Sequence, residues 1–186
     1  METALQIIVQ GCQKQHLHSQ EALYRHFYPE MIKICFRYAT DADGAGSIYN
    51  NAMLRVFQNI GSYKEEGKLG AWIKTIILNC CIDFCKKKNI FKNVMPYIAE
   101  NDISIEPEIF EKVSYKEIIE FINQLPAATA IVFRLFVYEG LTHKQIAEQL
   151  NISDGTSKWH VSEAKRILKK KSEHIHDYNY TLNATG

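Results

Sequence analysis

Apolar residues recur along this chain every three or four positions, and no stretch of any length alternates every second residue. That spacing predicts helices and no sheet. Leu5 to Cys12 forms an amphipathic helix through Ile7, Ile8 and Val9, interrupted near Gly11. A second helix runs from about Ser19 to Tyr38, with Leu23, Phe27, Met31, Cys35 and Tyr38 as a continuous apolar stripe. Pro29 must kink it or mark a junction, because proline removes a backbone donor. Asp41 to Gly46 holds two glycines and two aspartates and reads as a turn. The third helix covers about Ser47 to Ile60, through Ile48, Met53, Leu54, Val56, Phe57 and Ile60, and Gly61 ends it. Ser62 to Gly70 is polar and glycine-bearing, hence a loop.

The fourth helix, Ala71 to about Lys88, has the clearest pattern of this half. Trp72, Ile76, Cys80 and Phe84 repeat every fourth residue, with Ile73, Ile77, Cys81 and Cys85 beside them and a polar row of Thr75, Asn79, Asp83 and Lys87. From Lys88 to Glu111 the period fades and Pro96 and Pro107 intervene, so about Asn93 to Glu111 is a linker between domains. A helix returns from Ser114 to Gln124. Pro126 opens the next, with Ile131, Val132, Leu135 and Phe136 as its apolar body, and Gly140 stops it. Residues 173–186 are polar and irregular, a frayed end.

Leu141 to Lys171 carries the most specific pattern. Thr142 followed by Gln145 matches a capping box, and Ile146, Ala147 and Leu150 give a short helix its buried face. Ser153 can cap a second helix, with Gly155 and Thr156 in its first turn. On that helix Val161, Ala164, Ile167 and Leu168 share the inner face, and Lys158, Trp159, His160, Ser162, Lys165 and Arg166 the outer one. Two short helices joined by a tight turn, the second with a basic end, form a helix-turn-helix and point to duplex DNA. Two amphipathic helices of any bundle would share part of this pattern.

Charge adds to the picture through its distribution, since the total is only +1. Residues 142–171 and 62–93 each carry seven basic residues against three acids, whereas residues 99–120 carry seven acids against Lys112 and Lys116. Two basic segments flanking an acidic one suit two separate nucleic-acid contacts, although solvated helix faces would also produce them. Five cysteines, Cys12, Cys35, Cys80, Cys81 and Cys85, argue against a disulfide framework in a chain with no secretion signal. Cys81 and Cys85 share a helix face, but no partner set completes a metal site, so buried thiols are the better reading. No apolar run approaches a membrane span and the polar Met-Glu-Thr-Ala start is no signal peptide, which makes the cytosol the expected compartment. A phosphate loop, a nucleophile elbow and a His-Glu metal motif are all missing from the sequence, so no catalytic residue, metal or cofactor is expected.

Several stretches, taken in order, carry a resemblance to a known family. They are Glu21-Ala-Leu-Tyr24 with Pro29 and Arg37-Tyr38; Arg55-Val-Phe-Gln-Asn-Ile60; Trp72-Ile-Lys with Asn79, Asp83, Lys86 and Lys87; and Leu125-Pro126, Val132-Phe133 and Tyr138-Glu-Gly140 leading into the helix-turn-helix. From about Ile7 to Lys171 the chain resembles the extracytoplasmic-function group of sigma-70 family sigma factors of bacterial RNA polymerase. The resemblance implies an all-α fold of two small helical domains joined by a flexible linker, the C-terminal one a winged-helix-like, four-helix domain bearing the helix-turn-helix. Residues 1–92 would bind polymerase and the −10 element, 93–111 would be linker, 112–172 would bind the −35 element, and 173–186 would be a tail. The implied partners are core RNA polymerase (the clamp region of its largest subunit and the flap of the second-largest), promoter DNA and an anti-sigma factor, with no membrane insertion.

The residues it implies fall into three groups. Thr142, His143, Lys144, Ser157, Lys158, Trp159, His160, Ser162, Glu163, Lys165 and Arg166 would meet the −35 duplex; there Glu163 can accept from a cytosine amino group and Lys158 can donate to guanine. Tyr63, Lys64, Thr75, Asn79, Asp83, Lys86 and Lys87 would meet the −10 strand, where aromatic rings stack on unpaired bases and lysines attract phosphates. Trp72, on the apolar row, reads as core. Ile48, Tyr49, Asn50, Asn51, Met53, Leu54 and Arg55 would dock on polymerase. The chain departs from the family at Trp159, His160 and Glu163, where a serine, a basic residue and an arginine are usual. It also departs at Gly44 to Asn51, which is neutral where relatives are acidic. The alternative function is therefore a stand-alone DNA-binding regulator derived from a sigma factor with altered polymerase docking. A pure interaction protein that titrates an anti-sigma factor is a third.

Overall fold

The computed structural model describes residues 4–64, 68–87 and 115–184, and these fall into two compact units, each all-helical. The expected linker, 93–111, lies outside the described residues. In the first unit, α1 spans Ala4–Gln13, α2 Leu17–Tyr38, α3 Ala42–Asn59 and α4 Leu69–Lys87, with one 3-10 turn at Ile60–Ser62. α2 is central, packing on α1, α3 and α4. Its stripe of Leu23, Phe27, Met31, Cys35 and Tyr38 is buried, as the four-residue spacing predicts.

The helix breakers behave differently from one another. α2 continues through Pro29, which leaves the kink and removes the junction of the two alternatives. The carbonyl of Arg25, which loses its usual donor, lies on an exposed part of the helix that water can reach. Asp41 to Gly46 is no turn: Asp41 is the N-cap of α3, accepting from the Gly44 amide at 2.6 Å, and the glycines form the first helical turns. A Cβ on Gly44 would sit 3.2 Å from the Phe84 ring and 3.0 Å from the Asp41 carboxylate, so this glycine serves close packing. Gly11 acts likewise. α1 runs through it, and a Cβ there would collide with Ser19 Oγ and lie 2.7 Å from Ser19 Cβ in the first turns of α2.

On α4 the row Ile73, Ile77, Cys81 and Cys85 is the fully buried one. Trp72, Ile76 and Phe84 flank it half-buried. All five thiols are buried, with Cys85 Sγ 3.8 Å from the Tyr38 carbonyl oxygen. Burial pushes the Cys12 thiol up to about 11.

The second unit comprises α5, Tyr115–Asn123; α6, Ala127–Val137; α7, His143–Leu150; and α8, Asp154–Ala184. α6 supplies most of the core, with Ala128 through Phe133 and Leu135 buried against α7 and α8. Pro126 is its N-cap, and Gly140, at φ +67°, makes the reversal that ends the segment. The irregular end expected over 173–186 is corrected: α8 is helical to Ala184, since after Gly155 it meets no glycine or proline within its length.

Candidate nucleic-acid interface

The turn between α7 and α8 is fixed by caps written in its sequence. Thr142 Oγ1 accepts from the Gln145 amide and Gln145 Oε1 accepts from the Thr142 amide at 2.9 Å, completing the capping box. Asn151 closes α7 in the left-handed region at φ 56°, which asparagine tolerates better than most residues. Ser153 Oγ then accepts from the Thr156 amide at 2.9 Å and starts α8. Ile146, Ala147 and Leu150 on α7 and Val161, Ala164 and Leu168 on α8 are all buried, and the two helices pack on each other. The short turn is thus set by caps on both of its sides, with the small Ala147 and Ala164 buried on the two helices it joins.

Burial sorts the outer face of α8. Lys158 and Arg166 are exposed, and Trp159, Ser162, Glu163 and Lys165 are half-buried at the surface. Two intrahelical ion pairs lie along it: Lys158 Nζ to Asp154 at 2.9 Å, and Arg166 to Glu163 through two bonds, from Nε at 2.8 Å and Nη2 at 2.7 Å. The Arg166 hydrogen bonds hold the Glu163 carboxyl below its ordinary value.

Two expected contact residues are corrected. Ser157 is 0% exposed and His160 2%, so both belong to the core of the unit. His160 Nδ1 lies 2.9 Å from Thr129 Oγ1 on α6, and Nε2 is buried with no hydrogen-bond partner among the described residues. Burial lowers its pKa to about 4, which keeps the ring neutral. Ser157 Oγ meets His143 Nδ1 at 3.1 Å, while the His143 ring stacks on Phe136 at 4.7 Å. His143 thereby ties α6, α7 and α8 together, and Thr142 is engaged in its cap. Lys144 is exposed at the start of α7. Sequence reasoning missed Thr129; its signal was one hydroxyl within the apolar run Ala127 to Val132.

In the first unit, Tyr63 and Trp72 stand ring to ring at 5.3 Å, tilted by 40°. Both are half-buried, so Trp72 is not the core residue its row implied. Trp72, but not Tyr63, lines a shallow concavity of about 270 Å³ together with Arg55, Asn59, Ser62, Ile76 and Asn79. Asn79, Thr75, Lys64, Lys86 and Lys87 are exposed. Thr75 Oγ1 donates back to the Ala71 carbonyl at 3.0 Å, so its hydroxyl is already engaged. Arg55 Nη2 pairs with Asp83 at 2.9 Å, joining a residue expected to dock on polymerase to one expected at the −10 strand. That hydrogen bond holds the Arg55 pKa above its usual value. These two side chains cannot act as independent contacts while the pair persists.

The docking group is also corrected in part. Ile48, Tyr49 and Met53 are buried, and the Tyr49 hydroxyl donates to the Tyr24 carbonyl at 2.7 Å. They shape α3 from within, because their spacing puts them on its inner face. Asn50, Asn51, Leu54 and Arg55 remain at the surface, with Leu54 55% exposed. Asn50 accepts from the Tyr24 hydroxyl at 2.8 Å. Asn51, Leu54 and Arg55 line a second concavity of about 220 Å³ with Asp83, Phe84 and Lys87. Among the described residues no group of three or more His, Cys, Asp or Glu could hold a metal, and no helix is long and apolar enough to cross a membrane.

Two all-helical units, the second built on a capped helix-turn-helix with a basic outer stripe, define the class of protein. Residues 23–90 match the model for Sigma-70 region 2, and residues 115–168 match that for Sigma-70, region 4. The chain belongs to the sigma-70 family, within its extracytoplasmic-function (ECF) group. Among its relatives, the ECF RNA polymerase sigma factor SigL of Mycobacterium tuberculosis is 28% identical over 161 residues, 81% of this chain and 89% of that one. The RNA polymerase sigma factor SigZ of Bacillus subtilis is 24% identical over 153 residues, 82% and 86% of the two chains. The ECF RNA polymerase sigma factor SigW of the same organism is 23% identical over 159 residues, 76% and 82%.

Proposed function

We propose that this protein is a working sigma factor: it binds core RNA polymerase in the cytosol, carries it to a class of promoters and helps to open them. The observation that carries the reading is the order of two distinct helical units, each matching its own sigma region, with the capped helix-turn-helix in the second. In this reading the exposed stripe of α8, with Lys144 at the start of α7, meets the −35 duplex. The basic end of α4, Tyr63 and the concavity lined by Trp72 meet the −10 strand. An unpaired base entering that concavity can stack on Trp72, while Asn59 and Asn79 offer amide donors and acceptors. Holding such a base outside the duplex favours the melted state, and the protein needs no catalytic group of its own. Bond-making chemistry belongs to the polymerase. An anti-sigma factor remains the expected inhibitory partner.

Polymerase docking in this reading rests on Asn50, Asn51, Leu54 and Arg55. That surface is small, and the neutral segment Gly44–Asn51 brings it few charges. This favours, as a second reading, a stand-alone DNA-binding regulator with altered docking. Purified protein, core polymerase and candidate promoter fragments separate the two. A specific run-off transcript supports the sigma factor. Specific duplex binding with no transcript and no polymerase complex supports the regulator.

A further inference from the structure

The sequence suggests that Glu163 itself accepts from a cytosine, but both of its carboxylate oxygens are engaged. Glu163 Oε2 accepts from Arg166 Nε and Oε1 from Arg166 Nη2. Each oxygen keeps a further lone pair, but the charge-assisted bidentate pair fixes the carboxylate plane against Arg166 and makes it an anchor for that side chain. The exposures of the two side chains point the same way. Glu163 is 23% exposed at the edge of the outer face, whereas Arg166 is 56% exposed. Arg166 also stands on the stripe itself: Lys158, Ser162, Arg166 and Lys169 follow one another at intervals of four, four and three along α8, all at the surface.

The guanidinium carries five N–H donors in a fixed plane. Glu163 takes Nε–H and one hydrogen of Nη2. Among the described residues the remaining donors, two on Nη1 and one on Nη2, have no partner, and they present two parallel N–H groups along the outer edge. Two parallel donors on one planar edge match the O6 and N7 acceptors of guanine in the major groove. A single lysine has no such edge.

We propose that Arg166 is a specificity-determining residue that reads a guanine in the −35 element, and that Glu163 is a positioning residue that holds the guanidinium plane for it. This rests on the reading of α8 as the −35 helix. The sequence expectation set both residues at the −35 duplex and gave the base contact to Glu163; here Arg166 takes the base and Glu163 only positions it.

The test uses full-length protein with its cognate core polymerase and a promoter pool randomised across the −35 element, scored by sequencing the transcribed molecules. Wild-type protein should enrich guanine about tenfold at one position, in line with one good bidentate contact. Arg166→Ala and Arg166→Lys should both flatten that position and leave preferences elsewhere. Glu163→Gln, which keeps a hydrogen-bonding group of the same shape, should relax the guanine preference partway while keeping total transcription within about threefold. Circular dichroism melting of each variant separates misfolding from lost recognition. Three results overturn the proposal: Arg166→Ala lowers all sequences equally, as a phosphate contact would; Arg166→Lys retains the preference; or Glu163→Gln erases a cytosine preference that Arg166→Ala preserves. If wild-type protein transcribes from promoters but enriches nothing at the −35 element, the assignment of α8 fails instead. Should it yield no transcript at all, the sigma-factor reading fails, and the two failures stay distinct.

Discussion

At the scale of single residues, α8 combines a polar surface with a histidine in its core. Lys158→Ala should weaken −35 duplex binding by about 1–3 kcal/mol, the size of one base contact. Its pair with Asp154 is exposed, so losing it costs helix stability little. Affinity for core polymerase, measured in parallel, should be unchanged; an equal loss of both would make the lysine structural. His160 makes a different prediction. Its folded pKa, about 4, lies below the ordinary histidine value near 6.5, so the unfolded chain binds the proton more readily. The stability linked to the neutral ring is therefore full above about pH 6.5 and declines as pH falls towards 4, by up to about 3 kcal/mol. Denaturant titrations of wild type and His160→Gln across that window should show a steeper pH dependence in the wild type. Equal slopes would mean that the ring is not titrating from a neutral buried state. His160 was illegible from sequence for a simple reason. It stands four residues before Ala164 and seven before Ile167, on the inner period, but an imidazole reads as a surface group until Thr129, thirty-one residues away, gives it a buried partner.

Elements show the same division between what local chemistry dictates and what packing decides. The caps at Thr142 and Ser153, the stop at Gly140 and the stripe of α2 could all be read from residues within one or two turns. Gly44 and Gly11 could not, because a glycine in a list of turn-formers looks the same as one needed for close approach. The difference lies in Phe84 and Ser19, which the period of one helix alone does not bring near. Gly11→Ala tests this: the added methyl meets Ser19 and should lower stability by about 1–3 kcal/mol, read as a reduced melting temperature of the first unit. A neutral result would show that α1 shifts freely on α2. The docking residues divide likewise. The family resemblance implied Ile48, Tyr49, Met53 and Leu54 as apolar docking contacts, but all except Leu54 are buried within the first unit.

For the whole molecule, two basic segments in two units imply two steps that mutations can separate. Asn79→Ala, on the concavity of the first unit, should reduce open-complex formation about tenfold, with closed-complex binding nearly unchanged. Permanganate reactivity of the melted bases checks it, and normal melting would remove Asn79 from the −10 surface. The cysteines offer a different use of this two-unit build. All five lie in the first unit, in or beside its core, and none occurs after Cys85. The chain thus carries an unengineered reporter of opening in one half only. A thiol-alkylating reagent added to native protein should modify these side chains no faster than the first unit opens, whatever the helix-turn-helix half is doing. Ligands can then be sorted without a label: one that grips the first unit will slow alkylation, and one that grips only the second will leave the rate as it was.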